Sequence, residues 1–364
     1  MGRSTGVDLT VLIPTGGRPH KLGACLQSLA RQSLPTSRYE VIVGIDGPEN
    51  GELEFVGSCP AKITLLSFAK SGMAAARARV LEAANGTYAL MLADSAVCDK
   101  DLLARHLAAQ VQAAGGAGAK RGTLITGAVT FDAGKPERLV DRFVANTRVM
   151  SGYLLDTDET IDAALPQGNF RAIWTANLSF PVELASRLGS FCRQLSQGRY
   201  DGLEFAWRLQ KWLQTPVTTL DEAKVALAER CDPKDCFHRI VQLGYEAITL
   251  EHMNPACAMD VFGREIGGIG ASRQARTLIS RERCLAEQAM VAFLSLGHSP
   301  LAVLKPGEEQ ARLKKMTEMF ELCRPWLWHT GQLAALDNQP LAGTIEDLDA
   351  RLHEVLKASG SRAA

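Results

Sequence analysis

The stretch from Tyr88 to Leu103, YALMLADSAVCDKDLL, asks the sharpest chemical question of this chain. Asp94 stands there between Ala93 and Ser95, a single carboxylate where a hard divalent cation would want several charged oxygens. A lone carboxylate is better suited to accepting hydrogen bonds from hydroxyl or N–H groups. Asp46 and Pro14-Thr15 follow apolar runs in the same way that Asp94 does. Arg77 and Arg79 offer cations to an anionic group, although an alanine-rich helix turns one of them to solvent. Asp201 and Glu204 open a second helical pattern, where a carboxylate serves either as a proton acceptor or as a cap.

Other chemistries find no support. His20, His106, His238 and His252 lack the neighbours of a triad and read as surface or packing residues. The nine cysteines show neither CxxC nor Cys/His ligand spacing, and the pair Cys231 and Cys236 has no second pair. Reduced thiols in a cytoplasmic protein are the expectation. Gly16-Gly17 marks a turn, because no GxxxxGK[ST] phosphate loop surrounds it.

The elements that must position these residues are legible by period. Leu9–Pro14 is apolar on both faces, as a buried parallel strand is. Gly16, Gly17 and Pro19 break the chain, and Leu22, Leu26 and Leu29 then recur at helical spacing. Tyr39–Ile45 reads as a second strand closed by Asp46-Gly47-Pro48, and Lys62–Phe68 as a third. A helix over Met73–Ala84, a strand over Tyr88–Ala93, a helix from Asp99 to about Ala113 and a strand over Thr123–Phe131 follow. Asp99 and Asp101 suit the first turn of their helix, where acidic residues meet the dipole. This rhythm is that of an open, mostly parallel α/β sheet with helices on both faces. Ligands sit beyond the carboxyl ends of such strands, so Pro14-Thr15, Asp46 and Asp94 should meet in one crevice.

Beyond about residue 230 the pattern turns helical, over Cys236–Met253, Ser272–Leu296, Glu308–Cys323 and Thr344–Ala358. The expected organisation is a domain over 1–230 and a helical C-terminal extension over 231–364. Phe237, Ile240, Val241, Tyr245 and Ile248 form an apolar stripe. Its expected use is packing, with a helical partner or a membrane surface as the alternative; the mixed charge of the polar faces speaks against anionic lipid.

Composition narrows the classes further. Among 364 residues, 40 basic and 40 acidic side chains cancel, which argues against nucleic acid as a partner. The apolar and charged shares, 46% and 22%, fit a soluble globular protein. No apolar run reaches the ~18–20 residues that cross a bilayer, and the N-terminus lacks a signal core. The expected location is cytoplasmic, at most peripheral to a membrane.

These motifs, in this order, resemble the family 2 glycosyltransferases, inverting enzymes of GT-A fold that use nucleotide-diphosphate sugars. The resemblance spans roughly residues 8–230. VLIPTGGRPHKLGACLQSLARQSL, Val11–Leu34, is similar to the family's first strand, turn and helix, whose Pro-Thr backbone cups the base. YEVIVGIDG, Tyr39–Gly47, resembles the second strand with its base-binding aspartate, here Asp46, with Ile45 in place of a frequent first aspartate. SGMAAARARVLEAANGTYALML, Ser71–Leu92, resembles the glycine–alanine–arginine helix, with Arg77 at the position facing the nucleotide. TANLSF, Thr175–Phe180, resembles the opening of the acceptor half and puts Asn177 on the acceptor side. DGLEFAWRLQ, Asp201–Gln210, resembles the helix whose start carries Glu-Asp, the aspartate being the catalytic base.

The resemblance implies a UDP- or GDP-sugar donor bound by Pro14, Thr15, Asp46, Arg77, Asp94 and Ser95, and an acceptor whose identity stays open. It implies Asp94 on the ribose hydroxyls. It also exposes departures. Ser95 stands where the metal-ligating aspartate is expected, and Lys224–Arg230, KVALAER, lacks the histidine that many relatives supply. Gly202 falls at the base position, with Asp201 one residue, or about 100° of helix rotation, away. Asp201 is the first candidate base and Glu204 the second. No metal ligand is assigned, and at most a weakly held Mg²⁺ or Mn²⁺ is expected. Two readings stay open, an active transferase and a silent relative that binds nucleotide or serves a partner.

Overall fold

The computed structural model describes residues 6–49, 51, 54, 59–115, 122–131, 136–147, 149–150, 168–228 and 230–360. The chain forms two compact units, Met1–Asp132 with Ala164–Glu229, and Ala133–Ala163 with Arg230–Ala364. In chain order the first unit holds β1 (Leu9–Thr15), α1 (Pro19–Leu29), β2 (Tyr39–Asp46), β3 (Lys62–Phe68), α2 (Met73–Glu82), β4 (Tyr88–Leu92), β5 (Ala96–Cys98), α3 (Leu102–Ala114) and β6 (Leu124–Phe131). After α4 (Leu139–Asn146) of the second unit come β7 (Asn177–Pro181), α5 (Glu183–Leu188), α6 (Asp201–Leu213) and β8 (Val217–Leu227), all in the first. The second unit continues with α7 (Pro233–Met253), α8 (Pro255–Phe262), α9 (Ile269–Gly297), α10 (Pro306–Leu336) and α11 (Leu341–Gly360).

The described strands form one eight-stranded sheet in the order β3-β2-β1-β4-β7-β6-β8-β5. The first four are parallel, β7 is antiparallel to β4 and to β6, and β8 is parallel to β6 and antiparallel to β5. Strand β1 is buried along its whole length, which is why its sequence is apolar on both faces. Its registers with β2 and β4 set Thr15 against Ile45 and Leu12 against Met91. Thr15, Asp46 and Asp94 therefore lie at or just past the carboxyl ends of three neighbouring parallel strands.

The helix–strand alternation read from the sequence is present, and the sheet is open and mixed. Period could not reveal β5, three residues long, or β7, which takes its place by pairing with β4 and β6. Asp101 stands at the N-cap of α3 with Asp99 two residues earlier, and both carboxylates reach Arg105.

In the second unit, α7 opens with a capping box between Asp232 and Asp235 and with Pro233 at its first position. Phe237, Ile240, Val241 and Ile248 of the apolar stripe are buried inside this unit, and the Phe237 ring lies 5.1 Å from that of Phe293. Residues 136–147 and 149–150, which the sequence placed with the first domain, count with the second unit. Phe143 of α4 explains this, with its ring 5.1 Å from Phe293 and 5.4 Å from Phe320. Helix α10 also runs through Pro325, where the sequence pattern broke off; buried Phe320, Cys323 and Leu327 hold both sides of the proline. No described helix is long and apolar enough to cross a membrane.

Candidate active site at the carboxyl edge of the sheet

Asp94 is 1% exposed, so its charge has to be met inside the protein. The Thr15 hydroxyl donates to Oδ2 at 2.7 Å, Arg18 Nε donates to the same oxygen at 3.1 Å, and Arg18 Nη2 donates to Oδ1. A bidentate guanidinium thus grips the carboxylate, and Thr15, expected at the base through its backbone, turns its side chain to Asp94. Pro14 is a buried residue of β1 paired with Gly44. Ser95 is buried and its carbonyl accepts the Ala228 N–H at 3.0 Å.

Asp46 is partly exposed at the end of β2. Its Oδ1 accepts the Ser71 N–H at 2.7 Å and its Oδ2 the Gly72 N–H at 3.0 Å, ahead of α2. These N–H groups precede a helix that has no side-chain cap of its own, and the carboxylate also suits the positive end of the helix dipole. The Met73 N–H binds the Ser196 carbonyl at 2.9 Å, which ties this helix start to the chain leading into α6.

Further along α2, Arg77 Nη1 lies 2.7 Å from both Oδ1 and Oδ2 of Asp201 and donates to the Gly198 carbonyl at 3.2 Å. The Asp201 side chain is 1% exposed and that of Arg77 is 14% exposed. Arg79 instead lies over the Phe68 ring, 4.7 Å from its centre. Glu204 accepts from Arg208 Nε at 2.8 Å, and the same guanidinium donates to the carbonyls of Leu188, Gly189 and Ser190. Glu204 is thereby built into the packing of α6.

Asn177 is fully buried. Its Nδ2 donates to the Ala128 and Ala223 carbonyls at 3.1 and 2.9 Å, which leaves Oδ1 facing His106 Nε2 at 2.9 Å. His106 must then carry its proton on Nε2, so Nδ1 accepts from the Ser179 hydroxyl at 2.9 Å, and Ser179 accepts from Gln110 at 3.0 Å. Burial pushes the imidazole down to about 4, although the bond to Asn177 opposes this. His106 is a packing residue, as one of its two expected readings had it. Asn177, expected to face an acceptor, holds β7 to β6 and β8. Gly127 permits this, since a Cβ there would sit 2.1 Å from Asn177 Nδ2.

The residues present do not fit a divalent cation. Among the described residues no group of three or more His, Cys, Asp or Glu side chains could hold one. The Asp94 carboxylate already carries the Arg18 guanidinium, and Asp99 and Asp101 are turned to Arg105, so no carboxylate of this segment is left to ligate a dication without giving up an arginine.

The sequence missed Arg18. Its signal was local, a cation placed between the Gly16-Gly17 turn and Pro19, the first residue of α1. Its partner lies 76 residues away, and only the pairing of β1 with β4 makes the two neighbours.

The open sheet, its parallel half and the polar residues along its carboxyl edge define a GT-A-like α/β domain. Residues 10–126 match the family model described as glycosyl transferase family 2, so the resemblance seen in the sequence is shown for this segment. The match takes in Thr15, Arg18, Asp46, Arg77, Asp94 and Ser95, and leaves Asn177, Asp201 and Glu204 beyond its end. Among solved structures, the mannosyltransferase PcManGT from Pyrobaculum calidifontis, in complex with GDP-Man and Mn²⁺, aligns with a TM-score of 0.51 at 15% identity. The alignment covers 90% of this chain and 89% of that one, and at this identity it speaks for the fold. S. aureus TarS 1-349 in complex with UDP aligns with a TM-score of 0.46 at 15% identity, over 92% of each chain. No curated protein sequence matches the chain.

Proposed function

We propose that this protein is an inverting glycosyltransferase that moves a sugar from a UDP- or GDP-sugar to an acceptor hydroxyl, with a weak or unusual demand for metal. One observation carries the reading: the family match over residues 10–126 covers the three strands whose carboxyl ends bear Thr15, Asp46 and Asp94. In this reading Asp46 accepts from an N–H of the base, Thr15 and Asp94 back the ribose side with the buried Asp94 carboxylate held by Arg18, and Arg77 faces the phosphates. The acceptor oxygen attacks the anomeric carbon as the bond to the diphosphate oxygen breaks. A single displacement inverts that carbon and delivers the hydroxyl proton to a base. Asp201 is the first candidate base and Glu204 the second; each carboxylate is held by an arginine, Asp201 by Arg77 and Glu204 by Arg208 of its own helix.

A screen of UDP- and GDP-sugars for nucleotide release, alongside nucleotide-induced shifts in melting temperature, tests this. One donor should give both a shift and turnover. No shift with any nucleotide would remove the donor site altogether. The pair Arg77–Asp201 favours a second reading, a silent relative that binds nucleotide, since the candidate base is already spent on an arginine. A shift without turnover for any donor would establish that reading in place of the first.

A further inference from the structure

The carboxyl edge of the sheet sets a cation, Arg18, on Asp94, the residue before the position where the family pattern calls for a metal-binding carboxylate and Ser95 stands. We propose that Arg18 is a diphosphate-binding residue whose anchored guanidinium meets the phosphate oxygens of the donor. The proposal rests on the reading of this edge as a nucleotide-sugar site.

Three observations carry it. The guanidinium is held in place: Nε and Nη2 reach both oxygens of Asp94, and the Thr15 hydroxyl steadies the same carboxylate. Exposure is divided unequally across the pair, 42% for the Arg18 side chain and 1% for Asp94. A ligand arriving here therefore meets the Arg18 side chain before the carboxylate. Arg77, the arginine that the family pattern would assign, is the more enclosed of the two and lies against both oxygens of Asp201.

The chemistry follows from what a guanidinium is. It keeps its charge at any working pH, and its planar fork matches phosphate oxygens as it matches a carboxylate. Fixed in advance by Asp94, it would stabilise charge building on the leaving diphosphate with little reorganisation. Asp94 then acts as a positioning residue, aiming Arg18 and not ligating an ion.

Calorimetric titration of the full chain with UDP, GDP, uridine and guanosine, in EDTA and in Mn²⁺, tests the proposal, with Arg18→Gln as the variant. Glutamine keeps an N–H donor for Asp94 and removes the charge. The wild type should bind its diphosphate about equally in both buffers. Arg18→Gln should weaken diphosphate binding about tenfold or more, and leave the matching nucleoside unchanged. Equal loss for nucleoside and diphosphate would mark Arg18 as structural, and no loss for either would also overturn the proposal. A wild type that needs Mn²⁺ for tight binding would overturn it as well.

A wild type that binds no nucleotide defeats the functional reading itself, whereas tight binding retained in Arg18→Gln defeats only the role of Arg18. Should the variant not fold, the wild type still decides. Arg18, whose side chain is partly exposed, should react with phenylglyoxal, and the bound diphosphate in EDTA should protect it, read by mass spectrometry. A rate unchanged by the diphosphate would overturn the proposal.

Discussion

Arg77 and Asp201, 124 residues apart in sequence, form a buried ion pair in which one guanidinium nitrogen stands 2.7 Å from both carboxylate oxygens. The side chain expected to face the nucleotide is thus bound to the one expected to take the acceptor proton. The pair also ties α2 to the start of α6. If both groups serve catalysis, donor phosphates must draw Arg77 away before Asp201 can accept a proton.

Asp201→Asn separates these roles. As the base, Asp201 should be needed for turnover, which falls about a hundredfold or more while nucleotide affinity holds. Undiminished turnover would exclude it. Asp201→Ala strands a buried guanidinium and should cost about 3 kcal/mol in urea unfolding. Adding Arg77→Met to that variant should recover part of the loss, because no unpaired charge is then left inside.

Asp46 is tested at the other end of the same helix start. Asp46→Ala removes the acceptor of the Ser71 and Gly72 N–H groups and should cost about 1–2 kcal/mol. The nucleotide-induced rise in melting temperature should vanish with it. If that rise survives at full size, Asp46 serves α2 alone.

His106 makes folding depend on pH. Its imidazole is held down to about 4 from an ordinary 6.5, chiefly by burial. Between those values the unfolded chain binds a proton that the folded chain refuses. Stability is therefore full above pH 6.5 and declines as the pH falls toward 4, by an amount on the order of 3 kcal/mol. Urea midpoints at pH 7.5 and 4.5 measure the decline, which should be smaller in His106→Gln. Parallel declines in the two proteins would count against this assignment.

The second unit depends on one close helix crossing. A Cβ on Gly244 of α7 would lie 1.9 Å from the Trp328 carbonyl of α10, and one on Gly331 would lie 1.9 Å from the Val241 carbonyl. Backbone atoms on both sides have no rotamer by which to yield. Gly244→Ala should cost about 2 kcal/mol or more and lower the melting temperature of the chain. An unchanged melting temperature would mean that the crossing opens freely.

The strands that carry the site were legible because burial on both faces leaves an unbroken apolar run. Such a run ends where the chain turns polar, which is how Thr15, Asp46 and Asp94 could be placed along one edge. Elements whose existence depends on a distant partner were not legible. Strand β7 is defined by its pairing, and α4 joins the second unit through rings that meet Phe143 from helices far along the chain. Pro325 misled for the opposite reason, since a local breaking signal was overridden by packing on both sides of it.

By itself the sequence determined the α/β rhythm, the helical second half, the family resemblance and the thinning of the acidic segment to Asp94. Each of these is written in local pattern, in the period of apolar residues or the order of short motifs. Only the tertiary structure decided what the charged groups do. Asp94 answers to Arg18, Asp201 to Arg77, and Asn177 to His106 and two carbonyls. A buried charge or amide has to find its partner in space, and the partner it finds is set by which strands and helices the fold lays side by side.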